Sequence, residues 1–190
     1  MVTVTAKVIT VTDKGLKEVL RKIDAAGKFI TRVGVLNPQA SEPHPLRQNI
    51  TVGEVAIINE YGSSRAGVPK RSFLKSTFTE QRDRLYIALL RAARIVIAGN
   101  AQPQAALHAV GTEMVKAVID TIAKNVPPPN QPHTVDEKGH DHALIHTETL
   151  MHSISADVIS SGASGSTVYS GEPDIDLEPG GANLALFTQT

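Results

Sequence analysis

Two runs of apolar residues at helical spacing, Leu85-Leu89-Ala92-Ala93-Val96-Ile97 and Leu107-Val110-Met114-Val118-Ile122, are separated by only Gly99-Asn100-Ala101-Gln102. Each run makes an apolar helix face that has to be covered. A four-residue connection leaves two such helices no arrangement but antiparallel packing. Gly99 suits the left-handed position that ends a helix, and Pro103 suits a first turn, where its missing N–H is not needed. The chain must therefore contain a helical hairpin near residues 79–98 and 104–124, and everything else has to pack around it.

The first half of the chain supplies strands and further helices. Val2 to Val8 alternates apolar and polar residues like a half-buried strand, with a phase shift at Val8-Ile9 that marks a bulge or the strand's end. Asp13 is a candidate N-cap for a helix over 13–26 with Leu16, Val19, Leu20 and Ile23 on one face, closed by Gly27. A strand from Phe29 to Leu36 follows. Asn37 to Asn49 holds Pro38, Pro43 and Pro45 and reads as an irregular loop, long enough to serve as an interaction arm. Thr51 with Glu54 three residues on is a capping box, so Val52 to Tyr61 reads as a short helix ended by Gly62. A helical region begins within Ser72 to Glu80.

The second half is more punctuated. Pro127-Pro128-Pro129 stops the hairpin's second helix, and the polar stretch to Ala143 reads as a flexible loop. Leu144 to Ile159 reads as a helical turn leading into a strand, residues 160–167 as a hairpin tip, and Val168-Tyr169 as a returning strand. The expected fold class is α+β, with a small, mainly antiparallel sheet packed against the helical hairpin and a further helix, and with extended loops or arms. Residues 1–171 are expected to form one domain. Residues 172–190 form an acidic arm in which Glu172 to Gly181 is bounded by prolines and extended, while Leu184, Leu186 and Phe187 close the chain with apolar groups suited to a dock.

Composition narrows the function classes. A chain of 190 residues can bury a sizeable core in one domain, and without cysteine it has neither a disulfide framework nor a thiolate metal site. No apolar run approaches the ~18 residues of a membrane span, and Met1 to Thr12 does not read as a secretory leader. The expectation is a soluble protein made in the cytoplasm of the producing cell, with no membrane partner. The net charge of zero hides an asymmetry: Arg65 to Arg94 carries eight Lys or Arg against Glu80 and Asp83, while Thr134 to Thr190 carries nine Asp or Glu against Lys138. Two solvated faces of a monomer would account for it. So would a head-to-tail ring in which the acidic part of one copy meets the basic part of the next. The basic segment has only Phe73, Phe78 and Tyr86 as aromatics, at no spacing typical of a nucleic-acid module.

Catalytic chemistry finds little support. His133, His140, His142, His146 and His152 lie within twenty residues, and His142 with His146 would share a helix face near Asp141 and Glu148. The residues between them are Ala-Leu-Ile, without the glutamate of a metalloprotease helix. Gly162-Ala163-Ser164-Gly165 falls short of a nucleophile elbow, and Lys14-Gly15 and Lys138-Gly139 lack the context of a phosphate loop. The expectation is no enzyme, no cofactor and no metal, with a metal-dependent hydrolase using the histidine-rich segment as the alternative.

Asn59-Glu60-Tyr61-Gly62 leads through a polar loop into Val68-Pro69-Lys70-Arg71-Ser72-Phe73-Leu74-Lys75-Ser76-Thr77-Phe78. A second block has Pro129-Asn130 to Thr134, Lys138-Gly139, Leu144-Ile145-His146-Thr147 and Leu150 to Ser153-Ile154. Together they resemble the neck or tail-completion proteins of long-tailed bacteriophages, in which an Asn-Glu-aromatic-Gly corner leads into Pro-x-Arg-x-Phe-Leu. The resemblance spans roughly residues 50 to 158. The chain departs from the pattern at Ser72 and Ala143, where the family usually has Pro, and at Thr147-Glu148, where it has Thr-Gly. The resemblance implies a structural virion protein at the head-to-tail connector, made in the host bacterium, forming a homo-oligomeric ring around the DNA channel. Its partners would be other copies of itself, other connector and tail proteins, and passing DNA without sequence-specific binding. A non-virion assembly chaperone is a further alternative. On the residues themselves, Glu60, Tyr61, Gly62, Arg71, Phe73 and Phe78 are candidates for a structural corner or subunit interface, together with Leu184, Leu186 and Phe187. Arg71, a planar five-donor group, is suited to bridge a carboxylate such as Glu60 or several carbonyls.

Overall fold

The computed structural model describes residues 15–144, 148–161 and 167–169. The strand expected at Val2 to Val8, the Asp13 cap, His146 and the arm with Leu184, Leu186 and Phe187 lie outside the described residues. The fold is α+β. Helix α1 (Leu16–Ala26) precedes strand β1 (Phe29–Val35), a short hairpin of β2 (Pro43–His44) and β3 (Arg47–Thr51), and helices α2 (Val52–Tyr61) and α3 (Phe73–Glu80). The long pair α4 (Arg82–Ala98) and α5 (Pro103–Ala123) follows, then α6 (Pro132–Lys138), α7 (Thr149–His152), β4 (Ile154–Ser160) and β5 (Thr167–Tyr169).

The main sheet has the order β1-β4-β5, both pairings antiparallel. Arg32 stands directly opposite Asp157 in the β1–β4 register, and its Nε donates to Asp157 Oδ1 at 2.8 Å. Helix α5 lies on this sheet at unusually short range. A Cβ on Gly111 would stand 2.7 Å from Thr31 Cγ2 and 2.9 Å from the Ala156 Cβ, so only glycine lets the helix sit there. Thr31 Oγ1 also donates to the Leu107 carbonyl at 3.3 Å.

The other side of α5 faces α4. Ala106, Ala109 and Val110 pack against Ala88, Ala92 and Val96, forming a small-residue seam that lets the two helices approach closely. The hairpin expected from the short Gly99 linker is present, with Gly99 in the left-handed conformation and Pro103 in the first turn. Its buried face on α4 differs from the expected one. Leu89 and Ala93 are exposed, because the seam is centred on the alanines and turns the leucine row toward solvent.

Three further expectations are corrected. Helix α1 forms and packs against α4 and α5, yet Leu16, Leu20 and Ile23 are exposed. The half-buried side is the Val19 and Lys22 side, where the Lys22 ammonium donates to the Ile97 carbonyl at 2.9 Å. The segment Asn37 to Asn49 is not irregular: it holds a 3-10 turn over Gln39–Ser41 and the β2–β3 hairpin. Pro43 starts its strand and Pro45 falls in the two-residue turn, both positions where a missing N–H and a fixed φ are tolerated. The stretch after the proline run contains α6, with Pro132 in its first turn and left-handed Gly139 at its end.

A second core cluster joins the remaining parts. Phe73 of α3 and Ala56 of α2 pack with Val118 and Ile122 of α5, Val126, Leu144, Leu150 of α7 and Ile154 of β4.

Candidate functional site

The corner begins with a capped helix. Thr51 Oγ1 accepts from the Glu54 N–H at 3.2 Å, and the Glu54 carboxylate accepts from the Thr51 N–H at 2.8 Å, completing the capping box at the start of α2. At its other end Gly62 has φ 79 and donates its N–H to the Ile58 carbonyl. A side chain there would meet the main chain: a Cβ would stand 2.9 Å from Lys70 N. The Ser63–Val68 bridge closes the loop through two main-chain bonds of 2.8 and 2.9 Å, and Arg71 N–H then donates back to the Asn59 carbonyl at 2.7 Å. The chain is thus folded sharply onto the last turn of α2.

Glu60, only 6% exposed, sits inside this bend. Its carboxylate accepts from Ser72 Oγ at 2.6 Å, Leu74 N–H at 2.8 Å and Lys75 N–H at 3.1 Å. A side chain from the preceding helix therefore satisfies two of the open N–H groups at the start of α3, where a negative charge also suits the helix dipole. Ser72 does not cap α3 with its own side chain but donates to Glu60 instead. Thr77, fully buried, extends the polar contacts inward by donating to the Phe73 carbonyl at 2.6 Å and lying 2.7 Å from Thr121 Oγ1 on α5.

Arg71 takes the second of its two expected roles. Its Nε donates to the Pro128 carbonyl at 2.8 Å, and one terminal N–H group donates to the Pro129 carbonyl at 3.1 Å and to Asn130 Oδ1 at 3.4 Å. Glu60 is occupied by α3, so its carboxylate is not the guanidinium's partner. Proline carbonyls are good acceptors here, since prolines form no helix that would use them. Burial lowers the Arg71 pKa from its ordinary range, and the nearby Asp141 carboxylate opposes that shift.

The segment Arg71 grips is itself tied down. Asn125 Nδ2 donates to the Asp141 carbonyl at 2.9 Å while its Oδ1 accepts from Ala143 N–H at 2.9 Å. Asp141 Oδ1 accepts from Asn130 N–H at 3.0 Å, and Lys138 Nζ donates to the Ala143 carbonyl at 3.2 Å. Burial, then the like charge of Arg71, push the Lys138 ammonium's pKa down, with Glu137 acting the other way. Between this cap and the β2–β3 hairpin lies a cleft of about 490 Å³ lined by residues including Leu46, Ile50, Val68, Arg71 and Lys138.

The bend thus brings together Glu60, Gly62, Arg71 and Phe73. Tyr61 is 72% exposed, and Phe78 is half-buried and belongs to neither core cluster. Sequence reasoning missed Asn125 and the Thr77–Thr121 contact, and took Asp141 only as a possible metal ligand, because the partners of these residues are remote in the chain.

Among the described residues, only His140 and His142 come together, with ring centroids 6.0 Å apart. His133 is on α6, His140 and His142 are in the turn after it, and His152 is on α7. Residue 142 is not helical, so the four-residue spacing to His146 does not place the two on a described helix face. Among the described residues no group of three or more His, Asp or Glu could hold a metal ion. No helix among them is long and apolar enough to cross a membrane.

Glu148 stands at the entry to α7 with a left-handed backbone, φ 56 and ψ 0. The turn leading into α7 is thus made by a residue that has to bear the strain. Left-handed geometry costs an L-residue ~1–2 kcal/mol, and glycine loses ~0.4–1 kcal/mol through unfolded-chain entropy. Glu148→Gly is thus expected to stabilise the fold by about 0.5–1 kcal/mol in urea titration. Destabilisation would show that the turn is held by something other than backbone tolerance.

Arg71→Ala is expected to cost about 2–3 kcal/mol, the range for charge-assisted bonds lost with a buried stem. Arg82→Ala, on the exposed side of α4, is expected to cost ~0–1 kcal/mol. Equal, small losses in parallel urea titrations would mean the proline carbonyls are served as well by water.

No protein-family model matches the chain, and neither a curated protein nor a solved structure matches it.

Proposed function

We propose that this chain is a structural protein of the neck of a long-tailed bacteriophage particle, at the head-to-tail connector. Copies of it form a ring that completes or joins the tail around the DNA channel and contacts other connector and tail proteins. One observation carries the reading. The two blocks behind the resemblance, Asn59 to Phe78 and Pro129 to Ile154, are remote in sequence yet meet in one bend, where Arg71 grips Pro128, Pro129 and Asn130. They also share a core, since Phe73 packs in the same cluster as Leu144, Leu150 and Ile154. Motif residues in such a role set the angle between segments, which a ring needs repeated identically in every copy.

The surface supports the same reading. Ile57 and Tyr61 lie one helical turn apart on α2, both exposed, and Leu46 is exposed on the β2–β3 hairpin. Exposed apolar groups of this kind suit a subunit that is covered in an assembly.

Mass spectrometry of purified phage particles, with negative-stain images of the isolated protein, tests the proposal. Rings together with presence in particles are expected. Presence in the lysate and absence from particles would favour an assembly chaperone and overturn the neck assignment.

A further inference from the structure

The outer row of α4 leaves apolar side chains uncovered. Tyr86 is 63% exposed, Leu89 41% and Leu90 44%, and Ala93 continues the row one turn on. On a helix of 3.6 residues per turn these positions fall on one stripe, about 120° from the Ala88-Ala92-Val96 seam buried against α5. Arg82 and Arg94 flank it, both exposed, with the exposed Asp83 beside Arg82, and neither arginine makes an ion pair or hydrogen bond among the described residues. An apolar row edged by uncommitted cations calls for a partner that is apolar and acidic together.

The chain contains one segment of that chemistry. Asp174-Ile175-Asp176-Leu177-Glu178 alternates carboxylates with branched apolar residues, and no Lys or Arg occurs after Lys138. We propose that the outer row of α4 is the docking site for residues 172–187 of a neighbouring copy. Ile175 and Leu177 lie on Tyr86, Leu89 and Leu90, and the carboxylates pair with Arg82 and Arg94. The assignment to a neighbour, which rests on the ring reading, also has a geometric ground. Strand β5 ends at Tyr169 on the sheet, and α5 separates the sheet from α4. To reach its own row the chain would have to round layers ~20 Å thick with only the ~28 Å that an extended chain spans from Tyr169 to Leu177.

The absence of cysteine makes the test clean. Two differently tagged full-length chains, one carrying Leu90→Cys and the other Leu177→Cys, are co-expressed and treated with a short thiol cross-linker. A heterodimer bearing both tags is expected, and none when Lys116→Cys, exposed on α5, replaces Leu90→Cys. Arg82→Glu with Arg94→Glu should abolish the cross-link, and Asp174→Lys with Asp176→Lys in the other chain should restore it. Circular dichroism melts of each variant show that the fold is retained. A cross-link found only within a single chain carrying both cysteines would overturn docking on a neighbour, and no cross-link in either format would overturn the site. A cross-link in the purified protein, combined with its absence from phage particles, would support the dock while overturning the neck assignment.

Discussion

Phe73→Ala is expected to destabilise the protein by about 3–5 kcal/mol, the largest loss for any single truncation of the corner. The ring is fully buried and lies where α2, α3, α5, α7 and β4 converge, against Ala56, Val118, Ile122, Leu150 and Ile154. Removing it takes away the transfer free energy of a phenyl group and leaves a cavity whose walls belong to five elements, which cannot all move inward together. Phe78, half-buried one turn and a half further along α3, is the internal comparison and should cost clearly less as Phe78→Ala. Urea unfolding of the two variants measures the difference in midpoint at constant slope. Equal losses would show that the cluster around Phe73 collapses freely and does not fix the corner.

Glu60→Ala is expected to cost about 3 kcal/mol, because one buried carboxylate accepts three hydrogen bonds. Its removal leaves the Leu74 and Lys75 N–H groups without their acceptor at the start of α3, and leaves Ser72 Oγ without its partner. Glu60→Gln keeps the shape and one acceptor oxygen while losing the charge that favours a helix N-terminus, so it should fall between Ala and wild type. Glu80→Ala, exposed at the end of the same helix, should be close to neutral. A Glu60→Ala loss no larger than that of Glu80→Ala, in the same urea titration, would mean that water replaces the carboxylate at the start of α3.

Much of the local structure could be read from the residues because the signals are local. The Thr51–Glu54 box, Gly62, Gly99 and Pro103 each act within a few residues of themselves, and each stands where the sequence places it. Helix α6 carried the same kind of signal, Pro132 in the first turn and Gly139 after the last, but its polar, proline-rich surroundings read as a loop. Seven residues are too few for a helix to hold alone in water. It is held because the segment around it is fastened by Asn125, Asp141 and Lys138. Likewise the β2–β3 hairpin is too short to persist in isolation and is packed beside α2.

The residues alone determined the bounds of α2, the Gly99 and Pro103 ends of the α4–α5 hairpin, and that Asn59 to Phe78 is a corner, since capping, proline geometry and apolar period all act at short range. Only the tertiary structure decided which side of each helix is covered. Periodicity marks Leu89, Leu16, Leu20 and Ile23 as apolar, but small residues at Ala88, Ala92, Ala106 and Ala109 set the close seam that turns Leu89 outward. It also decided the partners of Arg71 and Glu60. A guanidinium suits a carboxylate and a row of carbonyls equally well by its own chemistry. The proline carbonyls became its acceptors because α5 and the core cluster carry residues 128–130 to within reach, while the start of α3 had already taken the carboxylate.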